Sequence, residues 1–468
     1  MKILAIDVGS TTVRAIVYSD DGARLAGRSA PLAVQAPNPG SVEFDAKALA
    51  SSVTEMADAL CTAHDVDVIG ITNQRSSTVL WDPKDGEVLG PAIGWQDNRT
   101  MKRCAELNEA GIVTFANQTP TKAAWLWDQV DPGRVRDLRL GTIDSWLTWC
   151  LSGGAVHVSD VTNMAAAGLL DFAGENIAVD VLDALSIPHG ALPTPVPTSG
   201  EIVEATALER RPRITALAGD QQASLVGHGC RRAGDAKLTV GSGLSLDVII
   251  DDQHVVSGVS GCFPIVAWRR GDHVTRGFEA IDLSGGSTLE WLCDLGLFAD
   301  PEDLVAQALE VDDAGGVVVV PSLSGFGTPS WDVGATGAIY GLTLGVGAAH
   351  LARAALLGIA MRAAELFDAA VDELGHDLDG PLALDGGLTR SHEFTSWVAD
   401  ACGHNLAIAD DPEVTSRGAA TLAAAGAGLV DASDEMPTAF TVTHHIVEPQ
   451  RSIDRSEWDE AVRRTRQA

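Results

Sequence analysis

The sequence predicts an α/β protein of two lobes that repeat one architecture, and three observations predict it. The chain opens with three short strands in succession and then alternates helix with strand. A similar order restarts near residue 234. Each half begins with a strand, a Gly-rich turn and a second strand. The length of 468 residues suits two large domains at roughly 100–200 residues each, with a core apiece.

In the first half, Lys2–Val8 is a short apolar run that contains Asp7, and residues 13–19 form a second strand. Asp20-Asp21-Gly22 is a turn signal before a third strand at 24–30. Leu49, Val53, Met56 and Leu60 recur at helical spacing within Ala46–His64, and 67–72 is a buried strand. In the second half, strands at 237–240 and Leu244–Ile250 flank Gly241-Ser242-Gly243. Then come a strand at 317–320, a long helix at Ala348–Leu374, a strand at 381–384, a helix at 393–402 and an alanine-rich helix at 417–427. The lobes are expected to be 1–226 and 227–468, joined by packed hinge segments because no low-complexity linker separates them.

Composition narrows the function classes. Hydrophobic residues make up 46% of the chain, which marks a globular protein. The net charge of −32 argues against nucleic acid as a partner, since phosphate contacts need a basic surface. No apolar run approaches membrane-spanning length, so no membrane partner is expected. Seven cysteines are scattered without CxxC spacing, which reads as reduced thiols in a cytoplasmic protein. Residues 1–8 read as a core strand and not as a leader segment.

Five sites carry candidate chemistry. Asp7-Val8-Gly9-Ser10-Thr11-Thr12-Val13-Arg14 puts a carboxylate before a turn whose N–H groups and hydroxyls suit phosphate oxygens. Gly9 allows close approach of the backbone, and Asp7 is placed to hold a hydrated Mg²⁺. A plain hairpin with a solvated Asp is the bland alternative. The run 239–243 repeats this logic in the other half, with Ser242 and Gly243 at the turn. Two phosphate hairpins, one per lobe, form a clamp that closes on a triphosphate in an interlobe cleft. The pairing resembles the actin-like, ribonuclease H-like ATPase fold shared by actin, the heat-shock chaperones and the sugar kinases. It is unlike a P-loop, for no GxxxxGK[ST] occurs.

Ala218-Gly219-Asp220-Gln221-Gln222 places a carboxylate between a strand and a helix. It reads equally as a helix N-cap and as a general base that accepts a hydroxyl proton during phosphoryl transfer. Asn73-Gln74-Arg75-Ser76 and Gly94-Trp95-Gln96-Asp97-Asn98-Arg99 set polar side chains beside one aromatic wall, as a small hydroxylated ligand requires. A surface ion pair of Asp97 with Arg99 is the alternative. Leu384-Asp385-Gly386-Gly387 ends a strand in a glycine pair against which an adenine could lie, or it is simply a tight turn.

Taken in order, these motifs resemble the FGGY family of carbohydrate kinases, the glycerol kinases in particular. The most specific stretches are 71–100, 219–227 and 321–359, where Pro329-Ser330-Trp331-Asp332 and Gly337-Ala338-Ile339-Tyr340-Gly341-Leu342-Thr343 stand in family order. The resemblance implies ATP and Mg²⁺ as cofactors and a small polyol or sugar as acceptor. It implies Asp220 as catalytic base, Asp7 at Mg²⁺, and Gly9, Ser10, Thr11, Thr12 and Arg14 by the phosphates. In the other lobe it implies Ser242, Gly243 and Gly286 by the phosphates, and Gly386, Gly387 and Ser391 by the adenine. Arg75, Ser76, Trp95, Asn117, Asp220, Gln221 and Ser245 would line the acceptor pocket. A homodimer is the expected assembly.

The departures from the glycerol kinases cluster. Ser76 stands where they carry Glu, Asn117 where they carry an aromatic residue, and Ser245 where they carry Phe. All three replacements are smaller than the residues that touch the polyol in those enzymes. A pocket so enlarged predicts an acceptor bigger than glycerol, with glycerol kinase proper as the alternative. A non-catalytic actin-like or sugar-sensing protein is the remaining class. It has no use for both Asp7 and Asp220.

Overall fold

A computed structural model describes residues 1–429 and 440–466. The chain forms two compact units, drawn differently from the expected division at 226/227. One comprises Met1–Arg231, Ile265–Arg276 and Glu413–Val442; the other comprises Arg232–Pro264, Gly277–Pro412 and Thr443–Ala468. Pieces of the second half of the sequence therefore belong to the first unit.

In the first unit, the strand Lys2–Val8 pairs antiparallel with Thr12–Ser19, which pairs with Arg24–Pro31. Its other edge pairs parallel with Val68–Asn73, and that strand with Arg213–Gly219. Ile3 to Ile6 and Val68 to Asn73 are buried on both faces, as continuous apolar strands at a sheet centre must be. The helix Ala46–His64 opens with the Asp45 carboxylate capping Lys47 and Ala48 and covers the sheet with Leu49, Val53, Met56 and Leu60.

The alanine-rich helix Val414–Gly426 also packs here. A Cβ on Gly418 would lie 1.7 Å from the Ala223 carbonyl, and one on Gly70 would lie 2.3 Å from the Ala419 carbonyl. Those glycines let three backbones meet behind the helix Asp220–His228. A larger residue at Gly418 or Gly70 would push the helix off the sheet.

The second unit repeats the plan. Ala236–Val240 pairs antiparallel with Leu244–Ile250 and parallel with Leu382–Asp385, which pairs parallel with Leu406–Ala409. His273–Asp282 lies on the far side of Leu244–Ile250. Both units thus share an antiparallel hairpin with two parallel strands added at its first edge; beyond the hairpin the second half departs from a meander, because Phe263–Arg270 intervenes in sequence before the neighbouring strand His273–Asp282. The duplication expected from the sequence is present at the level of topology. The 27-residue helix Ala348–Leu374 buries Ala355, Leu356, Ile359, Ala363 and Leu366 against this sheet.

Candidate active site

The first hairpin turn is drawn tight by the Gly9 N–H donating to the Thr12 carbonyl at 3.0 Å. Asp7, 6% exposed, ends the strand beneath it. The Arg14 guanidinium lies 3.6 Å from the Asp7 carboxylate and 3.7 Å from Glu413, the residue before the alanine-rich helix. Burial pushes the Asp7 carboxyl up to about 7; Arg14 opposes that, and the carboxylates of Asp220 and Glu413 add to it.

Asp220 is the first residue of the helix Asp220–His228, and Gly219 is its N-cap, without a side-chain capping bond. The capping reading is corrected in position: Gly219 holds the cap, and the Asp220 carboxylate stands one residue inside the helix. It accepts instead from the Gln221 N–H at 2.8 Å and lies 3.8 Å from the Arg75 Nε. A Cβ on Gly219 would sit 2.8 Å from the Arg75 Cγ and Cδ, so the glycine lets the arginine stem pass beside Asp220. Trp95 donates its indole N–H to the Ser10 hydroxyl at 3.0 Å, and the Gln74 amide donates to the Gly9 carbonyl at 3.2 Å. Asp7, Gly9, Ser10, Arg14, Arg75, Trp95, Asp220 and Gln221 are therefore linked through the end of one sheet. Thr11 and Thr12 lie on the same turn, Thr11 exposed.

The other residues of this unit expected to line the acceptor pocket behave differently. Ser76 is buried at 4% exposure, adopts φ 65°, and donates its hydroxyl to the Ala166 carbonyl. That backbone lies in the left-handed region, costly for a non-glycine residue. It is held by the fully buried Lys122, whose ammonium donates to the carbonyls of Ser76, Gly94 and Asn117 at 3.0, 3.1 and 2.8 Å. Asn117 is exposed, as is Phe115. The surface reading of Asp97 and Arg99 is also corrected. Asp97 is 1% exposed, accepts from the Val42 N–H at 2.7 Å, and pairs with Arg99, which stacks on Trp125. The pair is framework under Trp95.

A short helix, Val161–Ala166, straps these pieces together. Its Asp160 cap accepts from the hydroxyls of Thr162 and Thr198 and from the Asn163 amide. Thr162 in turn accepts from the Gly219 N–H at 2.9 Å, one residue before Asp220. Asn163 accepts from the Asn73 amide at 2.9 Å, two residues before Arg75.

In the second unit, the Gly241–Gly243 turn is clasped from below. Gly286 donates its N–H to the Gly241 carbonyl at 2.8 Å, and Gly285 and Ser287 donate theirs to Ser242. Gly286 thus has its N–H committed to the turn, and any approach to a phosphate is through its Cα. A Cβ on Gly243 would lie 2.5 Å from the Asp282 carbonyl. Ser242 is exposed at the tip. Gly386 has φ 109°, and a Cβ there would lie 2.1 Å from the Val240 carbonyl, while Gly387 has open space beside it, as a flat base needs. Ser391 caps the helix His392–Cys402 by accepting from Phe394 N–H. Ser245 donates to Glu279 at 2.7 Å within a buried polar group that includes the Lys237–Asp247 pair.

Sequence reasoning missed Lys122, Thr162, Glu279 and Glu413. A lone lysine in the apolar stretch 119–130 and a lone glutamate in 277–281 were the available signals for two of them.

Comparison with known proteins supplies the decisive observation. The FGGY family of carbohydrate kinases matches by its N-terminal domain over residues 2–227 and by its C-terminal domain over residues 272–427. The chain belongs to the FGGY family of carbohydrate kinases. It is 36% identical over 490 residues to a glycerol kinase of Dechloromonas aromatica, covering 99% of this chain and 97% of that one. A glycerol kinase of Aromatoleum aromaticum is likewise 36% identical, over 491 residues and 98% of its length. Among solved structures, Plasmodium falciparum glycerol kinase with ADP matches with TM-score 0.86 at 25% identity, covering 99% of this chain and 98% of that one. A Lactobacillus acidophilus xylulose kinase shares the fold with TM-score 0.81 at 20% identity, covering all of this chain and 96% of that one. This FGGY kinase is thus a phosphotransferase with an alcohol group as acceptor, and its family uses ATP. No helix among the described residues is long and apolar enough to cross a membrane.

Proposed function

We propose that this FGGY kinase transfers the γ-phosphoryl group of ATP to a hydroxyl of a four- to six-carbon polyol or ketose, and that glycerol is a poor acceptor. The observation that supports this most is the set of three small polar residues, Ser76, Asn117 and Ser245, at positions where the glycerol kinases carry Glu and two aromatic rings. The added space and polarity suit more carbons and more hydroxyls, since polar groups left facing a smaller ligand would need water partners. The buried Ser76 side chain, committed to Ala166, leaves no carboxylate at that point of the wall.

Asp220 acts as general base. Its carboxylate takes the acceptor's hydroxyl proton as the oxygen bonds to phosphorus, and the phosphoryl–oxygen bond to ADP breaks. Arg75, alongside, orients the reacting end of the acceptor against the Trp95 ring. Asp7 fits a magnesium ion. It is one nearly buried carboxylate whose ionisation the charges of Asp220 and Glu413 oppose, so a cation would relieve repulsion. Mg²⁺ is content with a single carboxylate when water and phosphate complete its shell. Bound there, the ion would neutralise charge on the phosphates. Gly9, Ser10, Thr11, Thr12 and Arg14 contact the phosphates from this unit. In the second unit, Ser242 and Gly243 are the corresponding groups of its own turn, and Gly387 has open space beside it for an adenine.

The 36% identity to glycerol kinases supports a second reading, glycerol kinase with an altered wall. Measuring kcat/KM for glycerol against tetritols, pentitols and ketopentoses with MgATP separates the two. Glycerol best by about tenfold, roughly 1.4 kcal/mol of transition-state preference, would overturn the larger-acceptor reading.

A further inference from the structure

Trp95 and Ser10 lie 85 residues apart in sequence and meet in one hydrogen bond of 3.0 Å. An indole has a single N–H and no acceptor, so the direction of the bond is fixed: Trp95 donates and the Ser10 oxygen receives. With its oxygen engaged from that side, the hydroxyl's own proton points away from the indole and is left to donate. The turn that carries Ser10 closes through Gly9 N–H and Thr12 carbonyl, so a donated O–H there adds to the anion-seeking N–H groups of the loop. The Trp95 backbone is anchored separately, its N–H donating to the Ser77 hydroxyl at 3.1 Å and Gly94 N–H to the Val42 carbonyl at 2.8 Å. The indole is thus fixed at its root and reaches the turn only through its ring.

We propose that Trp95 is a positioning residue for the Ser10 hydroxyl, so that the ring forming the acceptor wall also aims a donor at the transferred phosphoryl group. This rests on the reading of Ser10 as a phosphate contact and Trp95 as acceptor wall. The contact thereby ties the acceptor wall to the phosphate turn.

A double-mutant cycle tests the link. Ser10→Ala, Trp95→Phe and the double variant are assayed for KM of MgATP at saturating acceptor and for acceptor-independent ATP hydrolysis; Ser10→Thr keeps a hydroxyl and serves as rescue. Each single variant is expected to raise KM of MgATP about fivefold, the effect of one hydrogen bond. The double variant should be no worse than either, and Ser10→Thr should approach the parent. If Ser10→Ala raises KM of MgATP while Trp95→Phe changes only the acceptor KM, or if the effects multiply, the link between the two residues is overturned and the phosphate reading of Ser10 stands. If Ser10→Ala leaves KM of MgATP unchanged, the phosphate reading itself falls and the inference with it.

Discussion

At the scale of the residue, the site depends on carboxylates whose surroundings set their duties. Asp220 is 27% exposed at its side chain, in the first turn of a helix and beside Arg75. That exposure suits the base proposed above, because the acceptor's hydroxyl has to reach the carboxylate. Asp220→Asn should preserve the shape, leave MgATP binding nearly unaltered and lower kcat by a factor on the order of 10²–10⁴; a variant with near-parental kcat would remove Asp220 from the role. Asp144 is the contrast. It is wholly buried and accepts from the hydroxyls of Thr142 and Ser159. Burial, and then the neighbouring Asp160 carboxylate, push it up to about 6. The folded protein therefore holds this proton more tightly than the unfolded chain does, whose value is near 3.8. The stabilisation is complete below about pH 4 and is lost as pH rises through about 6. Asp144→Asn carries no such charge, so the variant's stability relative to the parent should improve by roughly 1 kcal/mol between pH 5 and 6 and stay level above pH 7. Denaturant melts across that range check it, with a flat difference counting against the shared burial of the two aspartates.

At the scale of the element, the helix Val161–Ala166 matters more than its length suggests. Through Thr162 it holds the Gly219 N–H, and through Asn163 it holds Asn73. It therefore fixes the strand ends from which Asp220 and Arg75 project. Thr162→Val keeps the shape but leaves the Gly219 N–H without its acceptor, at a cost of roughly 1–3 kcal/mol of stability. The kcat per folded molecule should fall while KM for MgATP holds, and Thr162→Ser should restore both. A variant that only melts earlier would reduce the strap to scaffolding. This element was not legible in the sequence. Its signal is polar, and its meaning depends on partners 57 and 90 residues away. By contrast, the strands and the long helix fall within a residue or two of their expected bounds, because burial imposes period 2 or 3.6 on the chain itself. Lys122 escaped for the same reason as Thr162: nothing local says that its ammonium will bind three carbonyls and hold Ser76 at a positive φ. Ser76, Asn117 and Ser245 could be located by motif, yet their side-chain partners could not.

At the scale of the molecule, one number constrains binding: the chain carries a net charge of −32 and must hold an anionic nucleotide. Burial of apolar residues built the two sheets, and that part was readable from pattern; the return of 413–442 to the first unit was not, since an alanine-rich helix fits many sheets equally well. The charge acts over a longer range than any of these contacts. Near the phosphate turn, Arg14 is shared between Asp7 and Glu413, so its positive field is largely spent before a phosphate arrives. The summed field of the protein therefore opposes the approach of MgATP, while an uncharged polyol does not feel it. Screening shortens that field from about 30 Å at 0.01 M salt to about 8 Å at 0.15 M. Raising potassium chloride over this interval should accordingly lower KM for MgATP, by about twofold or more, with KM for the acceptor unchanged. The measurement needs free magnesium held constant, so that only screening varies. A KM for MgATP that rises with salt would mean that the two phosphate turns and Arg14 create a local positive potential strong enough to outweigh the whole surface, and the nucleotide would then be steered by the site despite the protein's charge.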